Sequence, residues 1–284
     1  MKRNGIHCIV GAIGVLQAVL MTACQMNTQW NDFEYYQVQK TEQMREEPLA
    51  RSQKDGEDGE EERFVQIHED EPRDMLVKVD LQFLKTDNEA TANVCRLINE
   101  QLKEMLLHQD GKLTDDEAVA NYIEDVKADF RANETWERYS EELTGRVEYG
   151  TDHIINYRLV EDSFAGGAHP SSVTTILRFD ALTGEFLTLD NVFPTHRQER
   201  LKELLLHRLM QNQGVNSLEE LHAKGYLELM DMFVSSNFAL RADSIEFYYN
   251  EYDIAPYAAG ACTLCLSYEE AKEVMDNQRQ KENP

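Results

Sequence analysis

The chain has 284 residues, 53 acidic against 28 basic side chains, a formal net charge of −25 and a mean hydropathy of −0.57. Such an excess of negative charge excludes a phosphate-reading nucleic-acid surface, which needs basic patches, and opposes docking on anionic lipid headgroups. It favours solubility and leaves a cationic partner open.

The N-terminus reads as an export signal. Met1-Lys2-Arg3-Asn4 is followed by an almost unbroken apolar run from Ile6 to Leu20, then by Met21-Thr22-Ala23-Cys24. A basic start, a short apolar core and small residues before a cut are the three parts of a secretory signal. The core is short of the ~20 apolar residues that a membrane-spanning helix needs. The pattern resembles a bacterial lipoprotein signal, although the usual leucine three residues before the cysteine is Met21 here. The resemblance implies that residues 1–23 are a signal peptide and that Cys24 becomes a lipidated first residue. Two or more acyl chains anchor a protein stably, where one does so only marginally. Gln25-Met26-Asn27-Thr28-Gln29 carries no acid, which favours the periplasmic face of the envelope over the cell surface.

Residues 24–62 are expected to form the lipid anchor and an acidic flexible tether. Gln, Asn, Glu, Asp, Lys and Ser dominate, up to Asp55-Gly56-Glu57-Asp58-Gly59-Glu60-Glu61-Glu62. Little apolar surface is available for burial, and like charges extend the coil to roughly 35 Å or more. Trp30, Phe33, Tyr35 and Tyr36 interrupt this polarity.

Folded sequence is expected from about residue 63. Met75, Val77, Val79, Leu81 and Phe83 alternate with Leu76, Lys78, Asp80 and Gln82, which predicts a strand with one buried face. Asp87 is the expected cap of a helix with Val94, Leu97, Ile98, Leu102, Met105 and Leu106 on one side and Cys95 as a small packing residue. Thr114-Asp115-Asp116-Glu117 is a capping box. It opens a second helix along Val119, Tyr122, Ile123, Val126 and Phe130, running towards Trp136.

From Gly145 the period changes to two, predicting strands over Arg146–Tyr149, Ile154–Phe164, Ser172–Phe179 and Phe186–Leu189, with a hairpin turn at Leu182–Glu185. Two helices are expected over Arg197–Gln211 and Ser217–Phe233. One or two strands are expected within Phe238–Asn250 and another over Ala261–Tyr268, and a short helix over Glu269–Asn277. Strands and helices come in runs without βαβ alternation. This predicts an α+β fold of antiparallel sheets, each packed by a helix pair, in two subdomains of similar size, residues 63–160 and 161–284. Cys262-Thr263-Leu264-Cys265 sits in an apolar alternating run. In a strand, residues three apart point to opposite faces, so this pair is read as structural rather than as a redox or zinc site.

Two loops break the patterning. Gly166-Gly167-Ala168-His169-Pro170 follows a strand, and Pro170 restricts His169 to extended backbone. Glu251-Tyr252-Asp253-Ile254-Ala255-Pro256-Tyr257-Ala258-Ala259-Gly260 is aromatic and flanked by acids. His169, Tyr252 and Tyr257 are the candidate binding residues: tyrosine supplies rigid amphipathic contact area, and a histidine held on a turn can donate to a partner. The alternatives are a histidine satisfied by loop carbonyls and a closed Ω-loop whose rings seal the core. No catalytic constellation, metal-ligand spacing or cofactor motif stands out.

The GGAHP loop together with Phe247–Gly260 resembles the C-terminal domain of unknown function in the outer part of the anti-sigma factor RsiV. The same domain and its N-terminal companion accompany the catalytic domain of the deacetylase PdaC. The resemblance covers residues 165–270 well and 65–160 loosely. In RsiV this outer region binds lysozyme, a strongly basic protein. The sequence carries neither the sigma-binding segment of the one nor the deacetylase domain of the other, so neither activity is carried over. The resemblance implies an exported, lipid-anchored, non-catalytic binding or sensing module of the cell envelope, for a cationic protein such as lysozyme or for a wall component such as peptidoglycan. The alternatives are a wall-modifying enzyme using His169 with Asp162 or Glu161, and a structural envelope protein.

Overall fold

The structure is a computed structural model that describes residues 33–46, 72–133, 138–151, 153–228 and 230–276. The signal segment, Cys24, Trp30, Trp136 and residue 277 lie outside the described residues.

The first layer is a five-stranded sheet in the order β1 (Glu34–Glu46), β2 (Arg73–Lys85), β3 (Arg138–Thr151), β4 (Ile154–Phe164), β5 (Ser171–Asp180). Neighbours are antiparallel except β2 and β3, which run parallel. A parallel pair needs a crossover, and α1 (Glu89–Leu106) and α2 (Asp115–Ala132) supply it. The alternation along β2 buries Met75, Val77, Val79, Leu81 and Phe83 on one face. Val94, Ile98, Leu102 and Leu106 of α1 and Val119, Ile123, Val126 and Phe130 of α2 share their core. Asn88, not Asp87, caps α1 by accepting from the Ala90 N–H at 2.9 Å. The Thr114–Glu117 capping box opens α2 as expected.

The second layer is an antiparallel sheet of β6 (Phe238–Leu240), β7 (Ser244–Tyr249) and β8 (Cys262–Ser267). Leu201, Leu205 and Leu209 of α4 (Thr195–Gln213) are buried in one core with Phe238, Leu240, Ile245, Phe247, Leu264 and Leu266. Phe193, Phe238 and Phe247 form its aromatic centre, with ring centroids 5.5–5.6 Å apart.

Four expectations need correction. The expected tether of residues 24–62 contains β1, paired antiparallel along the length of β2. Only Val38 of β1 is buried, so an exposed edge strand has the composition of a solvated linker. The expected helix Ser217–Phe233 is α5 (Leu218–His222) alone; Gly225 and Leu227 then take left-handed backbone, with φ of +85° and +58°. The second sheet therefore lacks the expected pair of long helices among the described residues. Phe186–Leu189 is not a strand: Phe186 makes a single bridge to Phe179, and α3 (Leu189–Val192) starts at once. The subdomain boundary between residues 160 and 161 cuts β4, and β5 belongs to the first sheet, so the division between the sheets falls after Asp180.

The two sheets are joined by polar side chains that imitate a strand. Asn237 accepts from the Ile176 N–H at 2.6 Å and donates to the Thr174 carbonyl at 2.7 Å. Asn250 accepts from the Thr174 N–H at 2.8 Å. Buried Asn156 of β4 donates to the Leu240 carbonyl of β6 at 2.8 Å. These amides satisfy backbone groups that burial would otherwise strand.

Cys95 and Cys262 are free thiols, so Cys262 and Cys265 do not bridge each other. Burial pushes both free thiols up to about 11, which keeps them protonated and unreactive at neutral pH.

Glu141 on β3 is only 7% exposed, and the hydroxyls of Tyr122 and Tyr139 donate to its carboxyl group. Burial, aided by the negative charge of Glu161, pushes the carboxyl up to about 7. The folded state thus holds this proton more tightly than the unfolded chain. Stability is present below the unfolded carboxylate range near 4.5 and is lost as pH rises through about 7. At ~1.4 kcal/mol per unit, discounted for residual solvation, the loss is about 2 kcal/mol. Urea unfolding at pH 5 and pH 8 checks this. Glu141→Gln should remove most of the difference, and an unchanged difference in that variant would rule out Glu141 as its source.

Candidate aromatic binding site

The β4–β5 connection, residues 165–170, holds Gly166 and Gly167 at φ of +94° and +102°. A Cβ at either glycine would meet nothing within 4 Å, so the requirement there is conformational rather than steric. The β7–β8 connection, residues 250–261, is closed by its own bonds. The Asn250 N–H donates to the Asp253 carboxylate at 2.7 Å, and the Gly260 N–H to the Tyr257 carbonyl at 2.9 Å. Tyr252 sits at φ +69°, an uncommon state for a tyrosine. Asn250, at the start of this loop, is the residue bonded to Thr174 near the start of β5. That bond sets the second loop against the first.

The outcome is one cluster of rings. His169 stacks on Tyr257, with centroids 3.7 Å apart and planes 17° apart. Tyr252 lies 5.9 Å from Tyr257 and places its hydroxyl 3.1 Å from His169 Nε2. His169 Nδ1 meets the Pro170 carbonyl at 3.0 Å. A carbonyl only accepts, so Nδ1 carries a proton towards Pro170, while Nε2 shares a hydrogen bond with the Tyr252 hydroxyl. With both ring nitrogens bonded, the rings lock one another in place. The cluster faces outward: His169 is exposed, Tyr252 is 54% exposed and Tyr257 is half-buried. It is therefore not a sealed Ω-loop.

The three candidate residues come together, and the acids offered for an enzyme do not join them. Asp162 and Glu161 stand on β4 opposite Ser172 and Val173, while both ring nitrogens of His169 are occupied by Pro170 and Tyr252. The charge of Glu161 instead acts on Glu141 and Tyr139. Among the described residues, no group of three or more His, Cys, Asp or Glu converges so as to hold a metal ion. No described helix is long and apolar enough to cross a membrane.

Beside the cluster lies a feature that the sequence reading missed. Leu227, Met230, Tyr252, Ile254 and Pro256 line an apolar cleft of about 210 Å³, held open by the Leu227 N–H bonded to the Ile254 carbonyl at 2.9 Å. Reading 217–233 as one helix hid it. Gly225 inside that supposed helix was the available signal.

Residues 190–269 match the profile of a family described as "Protein of unknown function (DUF3298)". The chain contains a DUF3298 domain. It runs from α3 to the start of α6 (Tyr268–Ala271) and holds the whole second sheet with Tyr252 and Tyr257. His169 comes from outside the matched stretch, so the ring cluster straddles the edge of the DUF3298 domain. The fold is similar to that of a DUF3298 family member from Bacteroides fragilis NCTC 9343, with a TM-score of 0.67 and 22% identity over 88% of this chain and 96% of that one. A DUF3298 family protein from Pseudomonas aeruginosa PAO1 is similar at a TM-score of 0.54 and 15% identity, over 85% of this chain and 95% of that one. Both likenesses bear out the α+β fold class. The peptidoglycan-N-acetylmuramic acid deacetylase PdaC of Bacillus subtilis (strain 168) is 25% identical over 173 residues, which cover 57% of this chain. The chain spans only 36% of that enzyme's length, and the likeness lies over its non-catalytic part.

Proposed function

We propose that this chain is an exported, lipid-anchored, non-catalytic binding module of the bacterial cell envelope, with His169, Tyr252 and Tyr257 as its recognition surface and Cys24 as its anchor. The observation that carries the reading is the meeting of the two distinctive loops in one outward-facing ring cluster, whose histidine bonds to Pro170 and Tyr252 rather than to a carboxylate. Preorganised rings bind without an ordering cost, and flat ring faces suit the apolar faces of wall sugars. The likeness to a peptidoglycan enzyme outside its catalytic part supports a wall glycan as the ligand. A second reading, a cationic protein such as lysozyme, is favoured by the net charge of −25.

The full chain purified in mild detergent should bind soluble peptidoglycan fragments saturably. Tyr257→Ala should weaken that binding at least tenfold, about 1.4 kcal/mol or more, by removing the ring on which His169 rests. Saturable binding of lysozyme alone would select the second reading, and no saturable binding of either would overturn the module as described. Labelling of growing cells with a fatty-acid analogue tests the anchor: Cys24→Ser should abolish incorporation into this chain, and retained label would overturn that part.

A further inference from the structure

The apolar cleft beside Tyr252 does not end at Tyr252. It continues into a second cavity of about 610 Å³ between α4, α5 and residues 227, 228 and 230–232, and the two share Leu227, Glu228 and Met230. Leu218 and Met230 along this trough are 47% and 41% exposed. Clustered exposure of large apolar side chains marks interaction sites rather than ordinary surface. Methionines such as Met230 and Met232 adapt to the shape of what they cover.

The charges at the trough say what covers it. Glu228 and Asp231 are exposed and make no ion pair or side-chain hydrogen bond among the described residues. The cation at this edge, Lys202, is paired to Glu199 at 2.8 Å. Unpaired carboxylates around an apolar floor attract Lys and Arg and repel acids. A second copy of a chain with a net charge of −25 would meet the trough with like charge, and an anionic lipid surface would do the same. A neutral glycan has no use for so long an apolar floor.

We propose that this trough docks a basic amphipathic polypeptide segment, with apolar side chains seated over Leu218, Leu227 and Met230 and Lys or Arg side chains reaching Glu228 and Asp231. This is the groove mode of peptide recognition, in which spaced apolar anchors give affinity and flanking charge gives choice of partner. The assignment is independent of what the ring cluster holds.

The probe is a synthetic amphipathic peptide of about 14 residues, Leu on one helical face and Lys on the other, with a counterpart carrying Glu for Lys. Fluorescence anisotropy with the full chain in mild detergent should show saturable binding of the Lys peptide that weakens with added salt. The Glu peptide should bind at least about tenfold more weakly. Met230→Lys should weaken the Lys peptide at least about tenfold, as should Leu218→Asn with Glu228→Gln. The charge-matched change Glu104→Gln, on α1, should alter it less than about twofold, and Tyr257→Ala should leave it unchanged. Equal binding of the Glu peptide, or indifference to Met230→Lys, would overturn the proposal. So would a concentration-dependent dimer in sedimentation that Met230→Lys dissolves, since a second copy would then be the occupant.

Discussion

Leucine in place of Arg178 should lower the unfolding free energy by about 3–5 kcal/mol, the largest stability loss expected from a single change here. Arg178 is 2% exposed, at the seam between the sheets. Its guanidinium donates to the Phe238 carbonyl at 2.7 Å, the Ile176 carbonyl at 2.9 Å and the Leu187 carbonyl at 3.1 and 3.2 Å. It also lies 3.8 Å from the centre of the Phe238 ring. No carboxylate is among these partners. Burial pulls the guanidinium down to about 9, yet that still leaves it charged at neutral pH. Leucine recovers some apolar burial but leaves three buried carbonyls short of a donor, at ~1–3 kcal/mol for each unsatisfied group before relaxation. Lysine keeps the charge without the planar fork and should fall between the two. Urea titration measures the loss. A change below about 1 kcal/mol would mean that the carbonyls find other donors and that Arg178 does not hold the seam.

Gly145→Ala should cost about 2–4 kcal/mol, at the upper end of overpacking effects. Gly145 lies inside the first sheet, beside Leu81 of β2 and Leu159 of β4. A Cβ there would overlap the Tyr157 hydroxyl and stand 2.6 Å from Leu81 Cδ2 and 2.8 Å from Tyr157 Cζ. Tyr157 is buried, and burial holds its hydroxyl far above the usual tyrosine range, so the ring has no solvent to move into. Removing the overlapped oxygen should help: Gly145→Ala with Tyr157→Phe should recover at least about 1 kcal/mol relative to the sum of the single changes. Strict additivity in denaturant unfolding would show that the clash is relieved by backbone movement instead.

The legible parts of the chain were those whose burial leaves a period. β2 carries five buried residues at alternate positions, and β4 has the predicted bounds Ile154–Phe164. The capping box at Thr114–Glu117 was readable because it uses a fixed spacing of side chain and backbone. β1 was not legible, since it is held by backbone pairing with β2 and by scattered contacts such as Met44 on the core and Tyr36 on Phe83, while Val38 is its only buried residue. Residues 223–228 and 230–233 were misread because their apolar side chains serve a trough and a core from irregular backbone, so helical spacing there was accidental. Both site loops stood out through Gly, Pro and aromatic content. Their meeting could not be read, because His169 and Tyr252 are 83 positions apart and are brought together by the Asn250–Thr174 bond.

The amide side chains along β5 also bear on polymerisation. An open sheet has two borders, each a template on which a stray strand can grow a fibre. At β5 that border is occupied: Asn237 and Asn250 hold the Thr174 and Ile176 backbone groups, and the Leu187 N–H takes the Arg178 carbonyl at 2.8 Å. At β1 the defence is different, with Lys40, Glu42, Arg45 and Glu46 spaced along a thirteen-residue strand. Among the described residues, one border is blocked by chain from the same molecule and the other is guarded by charge. High salt should therefore expose β1, not β5, as the place where aggregation of the folded protein begins.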